Sequence, residues 1–133
     1  MSDPKCANLL ISAAENDLDT LRILLEADSR SDEIFGYHAQ QTAEKLLKAW
    51  IAALGRVYPL THNLRTLIEL IRDADPDPRE FADLIPLNPF AVQFRYEAIG
   101  ERVTALDRAA LIARLEQLLA VVKGLAGGAG EAG

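Results

Sequence analysis

His38 and His62 are the only two imidazoles among 133 residues, and each sits in a distinctive phrase, FGYHAQQTAEKLLK around the first and PLTHNL around the second. Histidine is the side chain best placed to move protons near neutral pH. Arg56 precedes His62, with Val57-Tyr58-Pro59-Leu60-Thr61 between them. Metal-free RNA cleavage needs a base for the 2′-hydroxyl proton and a cation for the charge that builds at phosphorus. His62 and Arg56 are the catalytic candidates for those two tasks.

His38 shares one side of its helix with Gln41 and Lys45, a polar groove that could hold a ligand, with the ammonium available for a phosphate. Arg95, in the phrase FRYEA, joins these ligand-binding candidates because a guanidinium fork grips carboxylate or phosphate. Each candidate also has a plainer reading. Either histidine could be satisfied by one hydrogen bond inside the fold. Glu44 and Lys48 could be an i,i+4 pair on a solvated helix face, and Arg95 could fix a loop through a carboxylate. The two histidines lack the one-turn spacing that puts two metal ligands on one helical face. Cys6 is the single cysteine, which excludes a multi-cysteine zinc site, and no glycine-rich phosphate loop occurs. No metal or cofactor is expected.

The elements that must position these residues are helices. Leucine and alanine dominate, and no stretch alternates apolar with polar over the length of a strand. Leu10, Ala14, Leu18, Leu21 and Leu25 predict a first helix, opened by Asp3 and Pro4. Phe35, Ala39, Ala43, Leu46, Leu47, Trp50 and Leu54 cover an arc of about 120° on a second, which begins near Asp32 and closes at Gly55. Ile51 lies outside that arc, and such extra apolar surface implies a partner helix. Thr61 is the expected cap of a third helix whose inner face is Leu64, Leu67, Ile68 and Ile71. Asp75-Pro76-Asp77-Pro78 should end it. A brief helix from Pro78 to Ile85 and a further turn capped by Asn88 precede the last long helix, which should start at Thr104.

Short connections between long helices favour antiparallel neighbours. The expected fold is therefore all-α, an up-and-down bundle of four long helices with a short helical insertion before the last. It forms one domain over residues 1–126, followed by a glycine-rich tail, 127–133, too poor in apolar surface to order itself. The formal charge of −6 leaves any nucleic-acid contact to a local basic patch. No apolar run is long enough to span a membrane, and the start lacks a secretory pattern, so a cytoplasmic location is expected.

The phrases FGYHAQQTAEKLLKAW, PLTHNLRTLIELI and LNPFAVQFRYEA, in that order, resemble the HEPN family of small helical bundles over roughly residues 9–120. The resemblance implies a bundle that usually forms a homodimer and is often encoded beside a small nucleotidyltransferase partner in a toxin–antitoxin-like pair. It implies members that are ribonucleases, nucleotide binders or non-catalytic partners. The family's ribonucleases carry an arginine, a spacer of four to six residues and a histidine, late in the bundle. Arg56 and His62 have such a spacing but flank the loop between the second and third helices, and no histidine follows Arg95. The expected function is thus a dimeric interaction module, with nucleotide contact near His38 and His62. The alternative is a metal-independent, RNA-cleaving toxin using Arg56 and His62.

Overall fold

A computed structural model describes residues 4–27, 32–91 and 106–132. Among these are five helical elements: α1 (Pro4–Glu26), α2 (Asp32–Ala53), the short α3 (Leu64–Leu70), a 3₁₀ segment (Pro78–Ala91) and α4 (Arg108–Ala132). The described residues include no strand, and the all-α helical bundle expected from the sequence is what forms.

α2 is the axis of the molecule, because α1, α4, α3 and the 3₁₀ segment all pack on it. Fourteen of its 22 residues are buried, so it is a helix covered all round rather than on one stripe. That arrangement corrects the reading of Ile51. Its side chain is 1% exposed and is covered by the chain's own later elements, so it offers nothing to a partner helix. Trp50 and Phe35 are fully buried, and Trp50 meets Phe81 of the 3₁₀ segment edge to face with ring centroids 6.4 Å apart. Such pairs add about 0.5–1.5 kcal/mol beyond the area they remove from water.

α2 ends as its glycine predicts. Gly55 takes φ 79°, its N–H donates to the Ala52 carbonyl, and the Arg56 N–H donates to the Ile51 carbonyl. A left-handed residue lets the chain turn back on the last carbonyls of the helix. On α1 the buried stripe is Ala7, Ile11, Ala14, Leu18 and Leu21. Leu10 is only half-buried and Leu25 is 42% exposed, so the stripe follows Ala7 and Ile11 at its start rather than Leu10.

α3 is shorter than its periodicity implies, and its cap is Asn63 rather than Thr61. Asn63 Oδ1 accepts from the N–H groups of Arg65 and Thr66, while the Thr61 hydroxyl accepts only from the Asn63 N–H. Asn88, expected to cap its own turn, instead reaches back: its Oδ1 accepts from the Leu64 N–H and its Nδ2 donates to Asn63 Oδ1. Two asparagines distant in sequence thus cap one helix, and the insertion is fastened to α3.

The insertion is two short helices joined across a kink at Phe81, 3₁₀ rather than α in type, and the break falls at Phe81 rather than before Asn88. Pro78, Pro86 and Pro89 each lack an N–H, which denies the segment an uninterrupted α-type ladder. Its Phe90 ring lies against Gly36 of α2 so closely that a Cβ at Gly36 would fall 2.3 Å from Cδ1. Only glycine at that place lets the two elements meet.

α4 opens at Arg108, and its cap is Asp107, whose Oδ1 accepts from the Ala110 N–H. Thr104, the expected cap, lies outside the described residues, as do Asp3, Phe94, Arg95 and Tyr96. The start of α4 is held to that of α2, where Asp32 accepts from the Leu106 N–H and from the Arg108 guanidinium. Further along, Arg114 makes a bidentate pair with Asp83 of the 3₁₀ segment. The glycine-rich stretch expected to be disordered continues α4 as far as Ala132, since extending an existing helix needs no new nucleus.

Candidate functional site

Gln40, Glu44 and Lys48 follow one another at four-residue intervals on α2, which lays them along one line of the helix surface. They are the buried polar line of the molecule, with Gln40 0%, Glu44 5% and Lys48 8% exposed. The segment joining α2 to α3 covers them. Burying a carboxylate is costly unless it is paired and hydrogen-bonded, and Glu44 is both. Oε2 accepts from Lys48 Nζ at 2.9 Å, and Oε1 accepts from Gln40 Nε2 at 3.1 Å and lies 3.0 Å from Nδ1 of His62. Burial pushes the Glu44 carboxyl up, but hydrogen bonds from Lys48, Gln40 and His62 outweigh it and hold the group below its ordinary range. An ionised carboxylate only accepts, so Nδ1 of His62 carries the proton and Nε2 of the neutral ring is an acceptor.

The backbone of His62 is fixed as well, because Gln40 Nε2 also donates to its carbonyl at 3.0 Å. His62 therefore stands just before the Asn63 cap, outside α3, rather than in its first turn. A shallow pocket of about 220 Å³ lies beside it, lined by His62, Asn63, Asn88 and Ala91. Lys48 extends over the Tyr58 ring, 5.6 Å from its centroid, which ties the loop to the same line.

His38 and Lys45 form a second cluster with a partner the sequence did not point to. Asp17 of α1 lies 3.0 Å from Nδ1 of His38 through one oxygen, and its other oxygen pairs with Lys45 Nζ. Gln41 turns back to donate to Gln40 Oε1 at 2.8 Å, so its amide joins the Glu44 cluster. The three ligand-binding candidates of α2 are thus divided between two carboxylates. Arg95 lies outside the described residues.

Arg56 and His62 have separate engagements. The Arg56 guanidinium makes a bidentate pair with Asp73, both contacts 3.0 Å, and donates to the Leu70 carbonyl at 3.1 Å. It closes the C-terminus of α3 and holds the turn that follows. The side chain of Arg56 is 42% exposed and that of Asp73 68%, and the Arg56 guanidinium beside it holds the Asp73 carboxyl below its usual range. The cation expected to accompany His62 therefore has a bundle-end structural task.

Glu44, Asp17, Gln40, Asn63 and Asn88 are the residues that sequence reasoning missed as site members. Glu44 and Lys48 do form the expected i,i+4 pair, but buried under the loop rather than on a solvated face. Ile51 carried the available signal: it lies about 20° from both Gln40 and Glu44 around the helix, and an isoleucine there implies that this side is covered. Nothing local in the sequence singles out Asp17.

Chemically, a buried carboxylate holding the Nδ1 of an exposed imidazole can orient a base whose Nε2 faces outward. Among the described residues, no group of three or more His, Cys, Asp or Glu could hold a metal ion, and no helix is long and apolar enough to cross a membrane. No curated protein and no solved structure shows a significant match to this sequence. The HEPN domain family model matches residues 7–125, which takes in α1, α2, α3, the 3₁₀ segment and most of α4, and the chain belongs to the HEPN family.

Proposed function

We propose that this HEPN chain is a dimeric interaction module that works in the cytoplasm as the partner of a nucleotidyltransferase, in a two-gene, toxin–antitoxin-like pair. The observation that supports this reading most is the set of large apolar side chains left in solvent: Leu9 is 65%, Ile23 67%, Val57 73% and Leu60 99% exposed. Apolar side chains this exposed, on α1 and on the loop after α2, are what a protein partner would cover. The described polar candidates are each engaged within the chain, with His38 and Lys45 on Asp17, His62 on Glu44 and Arg56 on Asp73. Nucleotide contact belongs to the same reading, at the pocket beside His62, with His38 and Lys45 on Asp17 as a second place for it.

The Glu44–His62 arrangement favours a second reading, a ribonuclease with His62 as base. Its expected companion cation, Arg56, is engaged by Asp73 and the end of α3.

His62→Ala, Arg56→Ala and wild-type protein, compared in RNA cleavage and in binding to the purified nucleotidyltransferase, separate the two. The module reading expects partner binding within about twofold of wild type in both variants and no cleavage that depends on either residue. Cleavage by the wild type that disappears in both variants while they stay folded overturns it in favour of the nuclease.

A further inference from the structure

α1 carries a second stripe opposite its core. Leu9, Ala13, Asn16, Thr20, Ile23 and Ala27 recur at spacings of 4, 3, 4, 3 and 4. That pattern keeps them within an arc of about 80°, roughly 160° from the buried line of Ala7 to Leu21. Leu9, Asn16, Ile23 and Ala27 are exposed and Ala13 and Thr20 half-buried, so the described residues leave most of this face open. Such a repeat on a helix with a complete core face elsewhere is the seam of a helix pair.

We propose that this stripe is where two copies of the chain join, with the α1 helices antiparallel and the two-fold axis passing at Leu18. The inference rests on the dimeric reading above and names its interface. The spacing reads the same in both directions about that point, which a self-complementary patch requires. Reversal sets Leu9 against Ala27 of the second copy, Ala13 against its Ile23, and Asn16 against its Thr20. Each apolar layer then joins a large side chain to a small one, which lets the helices approach closely without a void. A parallel pairing would stack large on large and small on small.

The polar layer is complementary too. The Thr20 hydroxyl donates to the Asn16 carbonyl of its own helix, which leaves its oxygen to accept from the Asn16 amide of the second copy. Asp19 falls beside the axis, where it would meet its own copy, but each Asp19 is paired with Arg22 at 2.7 Å. Arg22 also pairs with Glu116 at 2.9 Å, so each copy brings one guanidinium held between two carboxylates to the flank of the axis.

Sedimentation of the full chain tests this. Wild type should be a dimer in the micromolar range, and the double variant Leu9→Asp with Ile23→Asp should bind itself about a hundredfold more weakly while its circular dichroism stays helical, both positions being exposed. In a Cys6→Ser background, Ala13→Cys with Ile23→Cys should oxidise to a covalent dimer, and Asn16→Cys alone should not. A wild type that is monomeric throughout that range overturns the dimeric reading and this interface together. A double aspartate variant that stays dimeric overturns this interface and leaves the dimeric reading standing. Cross-linking through Asn16→Cys but not through the 13/23 pair overturns the antiparallel arrangement.

Discussion

The Glu44 carboxylate lies 3.0 Å from Nδ1 of His62, with the glutamate side chain 6% exposed and the histidine 69%. A group that the fold has removed from water thereby determines which nitrogen of a surface imidazole carries the proton. The same carboxylate neutralises Lys48 and anchors Gln40, so one residue joins the burial of the polar line of α2 to the placement of the loop before α3.

Replacement of Glu44 by glutamine should cost on the order of 3 kcal/mol at neutral pH, because it leaves the buried Lys48 ammonium without its counter-charge. The pH dependence has a definite sign. The folded Glu44 carboxyl is held below its ordinary value of 4.5, so its stabilising contribution is fully present above that value and is lost as pH falls below it through the folded pKa. Urea unfolding from pH 7 to pH 3 should show a wild-type loss of stability below about 4.5 that is smaller in Glu44→Gln.

Gly36→Ala should destabilise the domain by about 1–3 kcal/mol, since the new methyl meets the buried Phe90 ring and one element must move off α2. The check is denaturant unfolding of Gly36→Ala beside the pair Gly36→Ala with Phe90→Leu. The smaller leucine should recover part of the loss, and a purely additive double variant would refute the contact as its source.

Asn63→Ala should cost about 1 kcal/mol by removing the cap of α3. Asn88→Ala should weaken the same helix from the other side, because Asn88 serves the Leu64 N–H. Hydrogen exchange of the amides of Leu64, Arg65 and Thr66 should accelerate in both variants, whereas an Asn88 that served only its own turn would leave them unchanged.

Arg56→Ala should release the end of α3 without touching the Glu44 cluster. Exchange of the amides from Ile71 to Ala74 should accelerate, while the titration of His62 followed by NMR should match wild type. A shifted His62 titration would mean that the two residues communicate, contrary to their separate engagements.

Much of the bundle was legible because its signals are local. The periodicity from Phe35 to Trp50 and the glycine that closes α2 each act within a few residues and each has its expected effect, whereas α3 ends at Leu70, ahead of the prolines expected to stop it. The caps of α3 were less legible, since Thr61 and Asn63 are both suitable side chains and the choice rests on Asn88, 25 residues on. The site was least legible. Charge spacing on α2 pointed to a solvated Glu44–Lys48 pair, and only the fold of the following loop over that side makes it a buried one. Asp17 joins His38 and Lys45 from another helix, a relation that no local pattern encodes.

Native mass spectrometry of the protein, gently isolated from its own cells, tests the central claim that this HEPN chain is an interaction module. The account predicts a heteromer holding two copies of the chain together with a second protein whose peptides identify it as a nucleotidyltransferase. A mass of one copy alone, with no protein partner at any concentration sampled, would contradict it.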